Sequence, residues 1–138
     1  MLSNKLKILF LFSTALLTAS CLHAASINEE DILGLAAALT KVSAPVHSAV
    51  RYKNPPADLS DDALLDFATA HNPSLLNAFD GYVLKARQVG SNSSVMVCDA
   101  KGTTALIEDA GCTGTSDWRA NQQNLPCAYV LDLAVTCP

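Results

Sequence analysis

The chain has 138 residues, half of them hydrophobic, and its 13 acidic residues outnumber 9 Lys and Arg for a formal net charge of −4. That length suits one domain with a modest core. The acidic balance argues against nucleic acid or an anionic membrane surface as a partner.

Residues 1–24 read as a bacterial-type signal peptide. Lys5 and Lys7 make the start basic, Ile8 to Ala19 is apolar, and small residues follow. The apolar run is shorter than the ~20 residues that a spanning helix needs. Two processing sites compete. Leu22-His23-Ala24 ahead of Ala25 suits ordinary signal peptidase. Leu17-Thr18-Ala19-Ser20-Cys21 resembles a bacterial lipobox, in which Cys21 is lipidated and becomes the first residue. Ser20 fits that pattern, whereas Thr18 stands where leucine is usual. The expected product is the soluble form beginning at Ala25 or Ser26, and the alternative is a lipoprotein anchored at Cys21. Removing the leader takes two lysines and no acid, which leaves 13 acidic residues against 7 basic ones. No later stretch reads as a membrane helix, so residues 25–138 are expected to form one exported domain, periplasmic or secreted. Within it, 25–58 reads as a helix and a proline-containing connector, and 59–138 as helices plus sheet.

Ser26 to about Val42 is predicted helical, capped by Asn28 or Ser26, with Glu29, Glu30 and Asp31 on the positive end of the dipole. Ile32, Leu35, Ala36 and Leu39 form its apolar stripe. Pro45 is expected to end or kink it, leaving Val46 to Tyr52 helical or extended. Pro55-Pro56 makes a stiff elbow. Ser60 caps a second helix running to about His71, and Asn72-Pro73 opens a short third one to about Phe79. Tyr82 to Arg87 alternates as an edge strand, followed by a polar loop from Gly90 to Ser93.

A hairpin is predicted next. Ser94 to Val97 and Thr103 to Ile107 are rich in β-branched residues, and Asp99-Ala100-Lys101-Gly102 supplies the turn. Strict alternation places Thr103, Ala105 and Ile107 on one face and Thr104, Leu106 and Glu108 on the other. A long loop from Ala110 to Pro126 follows, and Cys127 to Val135 reads as the last strand.

Cys98, Cys112, Cys127 and Cys137 are an even set in an exported chain, which predicts two disulfides. The strand order implied by the pattern favours Cys112–Cys127 with Cys98–Cys137. No two of these four form a Cys-x-x-Cys pair and no histidine lies near them in sequence to support zinc or dithiol chemistry, so no metal or cofactor is expected.

No nucleophile elbow, phosphate loop or metalloprotease motif occurs. Glu108, Asp109, Asp117 and Asp132 could converge near the long loop, with His47 or His71 recruited, as a small hydrolase would require. Against this, Glu108 and Asp109 are neighbours on a strand and point to opposite faces. Trp118, between Asp117 and Arg119, has two readings: the favoured one folds it back to cap the small core, and the competing one makes Asp117, Trp118 and Arg119 a candidate anchor for a partner. The expectation is an α+β domain with two to three N-terminal helices on one face of a mainly antiparallel sheet of about four strands, stapled by disulfides. Its expected role is non-enzymatic binding of an unidentified protein or envelope component through the 110–126 loop.

Overall fold

A computed structural model describes residues 28–113 and 125–138 and, between them, the backbone of Asp117 and Trp118. The leader with Cys21 and both processing sites lies outside the described residues, as do Arg119 and the side chains of Asp117 and Trp118.

The fold is α+β, with helices covering one face of an antiparallel sheet. Helix α1 spans Glu29–Lys53. Asn28 caps it by accepting the Asp31 N–H at 2.7 Å, and acidic residues fill its first turn. The predicted stop at Pro45 does not occur, and the helix runs eight residues beyond it. A helix-interior proline costs about 3 kcal/mol. The apolar stripe, however, continues through Val46, Ala49 and Val50, each at most 2% exposed. Burying a large aliphatic side chain is worth about 1.5–3 kcal/mol, so the stripe outweighs the break. Its full length makes α1 long and apolar enough to cross a bilayer by composition alone, although the shorter predicted helix was not. Here its apolar face lies against the sheet and α2, as a core helix does.

Helix α2 spans Asp61–Thr69, with Ser60 Oγ accepting the Ala63 N–H at its start. A 3-10 helix, Pro73–Phe79, opens on its proline. Leu64, Leu65, Ala68 and Phe79 join the α1 stripe in the main core.

Strands β1 (Val83–Val89), β2 (Asn92–Cys98) and β3 (Ala105–Ala110) form a meander, and the two-residue β4 (Asp117–Trp118) adds to the β3 edge. β1 is an edge strand, as predicted. The loop expected from Gly90 to Ser93 is a tight turn, because Val89 already pairs with Asn92 across Gly90 and Ser91. Gly90 supplies the positive φ, 60°, that such a turn needs. The β2–β3 turn forms as predicted. The Asp99 carboxylate accepts the backbone N–H groups of Thr103 and Thr104 at 2.7 and 2.9 Å, and Gly102 takes φ 68°. Alternation through β3 is broken by a bulge, since Val97 pairs with Ile107 while Cys98 pairs with Ala105. Leu106 is the extra residue, so Ala105 and Ile107 fall on opposite faces rather than on one.

The sheet therefore has a helix face, carrying Ala86, Val95, Val97 and Ile107, and a second face, carrying Met96, Cys98 and Ala105. The second is covered by residues 125–138, and we call it the tail face. The predicted strand from Cys127 to Val135 is absent. Thr104 and Pro126 make one isolated bridge, the chain then runs without a ladder, and Leu133–Thr136 forms a short helix, α3. Two backbone N–H groups of this stretch bond to a side chain instead of a strand.

All four cysteines are bonded, but not in the expected pairs. Cys98 joins Cys127 and Cys112 joins Cys137, each pair with Cα atoms 5.7 Å apart. The expected pairing assumed that Cys127 begins a strand antiparallel to β3. The tail instead crosses the open side of β2, which brings Cys127 to the end of β2 and Cys137 to the turn after β3. The bridges span 29 and 25 residues, each worth about 3.5 kcal/mol on the chain-entropy account.

Candidate functional site

Glu108 and Asp109 are adjacent on β3 and both fully buried. Their registers, against Met96 and Val95, send them to opposite faces as the alternation implied. Each organises a separate polar centre.

On the tail face, Glu108 Oε2 accepts the N–H groups of Val130 and Leu131 at 3.0 and 3.3 Å. Its other oxygen lies 3.5 Å from Arg87 Nη2. That nitrogen also donates to the Leu131 carbonyl at 2.6 Å, while Nε donates to Ser94 Oγ at 3.0 Å. The guanidinium stacks 4.5 Å above the centre of the Tyr129 ring. Burial, reinforced by the charge of Asp61 at the start of α2, holds the Tyr129 hydroxyl in its protonated form. Asn92 completes the hold by donating to the carbonyls of Leu133 and Cys137. These groups hold tail backbone, so Glu108 acts as a clasp, with both oxygens engaged by the protein.

On the helix face, Ser43 Oγ donates to Asp109 Oδ2 in a short contact. Gly111, just beyond, lets α1 come down on the sheet. A Cβ there would overlap the Ser43 carbonyl oxygen and His47 Cβ. Gly111 also donates to the Ser93 carbonyl, and Ser93 pairs with Gln88 on β1. One patch thus gathers Ser43, His47, Gln88, Ser93 and Asp109. Among the described residues, His47 Nδ1, Gln88 Oε1, Ser93 Oγ and Asp109 Oδ1 are buried there without a hydrogen-bond partner. Burial pushes the Asp109 carboxyl up to about 6, and the Ser43 bond pulls the other way. Burial, with the charge of Arg51, lowers His47. Ser43 is spent on the carboxylate rather than on the imidazole, so no serine–histidine nucleophile is assembled.

Among the described residues, the carboxylates of Glu108, Asp109 and Asp132 do not converge, since Glu108 and Asp109 face opposite sides of the sheet. Asp132 caps α3 by accepting the Ala134 N–H at 3.0 Å, and His71 is exposed beyond α2. The Asp117 carboxylate lies outside the described residues. No group of three or more His, Cys, Asp or Glu among the described residues is placed to hold a metal. Ser43 and Arg87 are not among the candidate residues that the sequence suggests. Ser43 had a signal, a polar residue at helical spacing inside the apolar stripe. Arg87 had none beyond its place on a strand.

The third feature is the loop after β3. Cys112 ties its start to α3, and Cys127 ties its end to β2. Between them the backbone of Asp117 and Trp118 pairs with Glu108 and Ile107, which places the predicted anchor segment on the sheet edge. No family model matches this chain, and no curated protein or solved structure matches it.

Proposed function

We propose that this protein is an exported, non-enzymatic binding module that presents the 110–126 loop to a protein or envelope component. One observation carries the reading. Each end of the loop is covalently fixed to a different element, Cys112 to Cys137 and Cys127 to Cys98. Pinning both ends lowers the ordering cost of binding, since a segment held in place loses less freedom on contact. Asp117, Trp118 and Arg119 lie at the middle of that segment, and tryptophan and arginine are the residue types that dominate binding energy. Two disulfides in so small a domain fit an oxidising compartment, and the basic–apolar leader supplies the route there.

The test couples export to binding. Mass spectrometry of the exported protein should give an N-terminus at Ala25 or Ser26 without lipid. Immobilised on a support, that protein should retain an envelope component that Trp118→Ala and Arg119→Ala lose, while their melting temperatures stay at the wild-type value. A Trp118→Ala variant that melts much lower yet retains the same component would make Trp118 a core cap instead. A diacyl or triacyl Cys21 would make the protein a membrane-anchored lipoprotein.

A further inference from the structure

The two disulfides sit in different surroundings. Cys98 is completely buried on the tail face, packed with Met96 and Ala105, and its partner Cys127 lies half-buried in the same cluster. Cys112 is exposed, on the turn that follows β3, between Gly111 and Thr113. Only its partner Cys137 is buried, beside Ala110 and Leu133. Thiol–disulfide exchange needs a thiolate to reach one sulfur along the line of the bond, so access decides which bond reacts.

We propose that Cys112–Cys137 is a thiol-exchange site, a tether that a dithiol protein of the Cys-x-x-Cys type opens while Cys98–Cys127 stays closed. The incoming thiolate attacks Cys112 Sγ and forms a mixed disulfide. The electron pair of the broken bond leaves on Cys137 Sγ, which takes up a proton. The second thiol of the reductant then attacks the mixed disulfide, releasing Cys112 as a thiol and closing the reductant's own disulfide. Two electrons pass from the dithiol to the protein, and nothing else is consumed.

The surroundings make the step reversible. Asn92 still donates to the carbonyls of Leu133 and Cys137 at 3.4 and 3.1 Å, and Leu133 remains buried against Ala110. Cys137 is therefore held near Cys112 after the bond opens. Further back along the tail, the Glu108 clasp and Cys98–Cys127 are untouched. Opening loosens α3 and the turn after β3, and leaves the sheet and the helix-face core in place.

The experiment uses the oxidised exported protein. It is exposed to graded dithiothreitol and, separately, to a catalytic amount of a Cys-x-x-Cys oxidoreductase kept reduced, and free thiols are trapped by alkylation and mapped by mass spectrometry. The expected result is a two-thiol species labelled at Cys112 and Cys137, formed about tenfold or more faster than label appears at Cys98 and Cys127. Its far-ultraviolet circular dichroism should be native. Amide exchange should quicken over 111–113 and 133–137 and stay slow over 94–98 and 105–110. Removing the reductant should restore the same pair. First label at Cys98 or Cys127, or release of all four thiols in one step with loss of structure, would overturn the proposal. Cys112→Ser/Cys137→Ser separates the two bonds. It should fold and resist the reductant, and a variant whose remaining bond opens as fast as the wild-type tether would also overturn it.

Discussion

The same three strands are covered in two ways. On the helix face, α1 lays down a regular stripe, and Leu39, Val42 and Val46 are entirely buried against the sheet. On the tail face, the covering chain is largely irregular and is fixed at separate points. Among them are the two N–H groups on Glu108, the carbonyl on Arg87, two more on Asn92, the Thr104–Pro126 bridge, and the two disulfides. A helix satisfies its own backbone and needs only apolar area to dock. A segment without a ladder brings bare N–H and C=O groups to a buried surface, and each must find a partner there. The tail face carries buried polar groups among its apolar ones for that reason, and its buried charges serve backbone before they serve chemistry.

The largest effect should come from breaking the clasp. Glu108→Ala removes the acceptor of the Val130 and Leu131 N–H groups and the counter-ion of Arg87. Each hydrogen bond lost to a charged acceptor costs about 1.5–3 kcal/mol, and about 4 kcal/mol is expected for the two together. Denaturant unfolding would give that loss. Amide exchange should localise it, with the tail over 128–132 opening first while α1 keeps its protection. Equal loosening of both faces would mean that the tail is no separate unit.

Leu39→Ala is the matching test on the helix face. It leaves a cavity at a position with no exposure, where such a change costs about 2–5 kcal/mol, and about 3.5 kcal/mol is expected. This loss should be global, read as a lower denaturant midpoint with an unchanged slope, because the stripe touches α2 and the sheet alike. Loss confined to the N-terminal turns of α1 would show that the helix docks piecemeal.

The two faces also differ in how far the sequence disclosed them. Periodicity found α1 and α2, their caps and the strand meander, because Ile32, Leu35 and Leu39 or Leu64 and Leu65 repeat at the spacing that burial demands. It failed at Pro45, where tertiary burial of Val46 and Val50 overrode a local break. It failed again over Cys127 to Val135, where Tyr129, Leu131 and Leu133 alternate as a strand would. Nothing local tells an alternating strand from an alternating tail. The difference lies in Glu108, about 20 residues earlier in the chain, which takes the N–H groups a neighbouring strand would have taken. The disulfide pairing failed with that strand. At the candidate site, the opposed directions of Glu108 and Asp109 were legible from alternation, and the partners that decide their roles were not.

The smallest effect concerns Asp109, where the helix face departs from its apolar rule. The groups around it are Ser43 and His47 on α1, Gln88 on β1 and Ser93 on β2, and among the described residues none of these is a permanent cation. Its folded value of about 6 exceeds the 3.8 of an ordinary carboxyl, so the folded state holds the proton more tightly than the unfolded chain. That contribution to stability is complete below about pH 4 and is lost as pH rises through about 6. At 1.36 kcal/mol per unit it amounts to at most about 3 kcal/mol. His47 works in the other direction. Its lowered value favours the neutral ring in the fold, so its contribution is present above pH 6.5 and lost as pH falls. Asp109→Asn isolates the carboxyl, since the amide oxygen can still accept from Ser43 but cannot ionise. Melting curves of both proteins from pH 4 to pH 7.5 should diverge, with the variant gaining on the wild type chiefly between about pH 4 and 6 and holding that gain above. Curves that stay parallel across the range would mean that the Asp109 carboxyl keeps its ordinary value in the fold, and that a compensating cation reaches it.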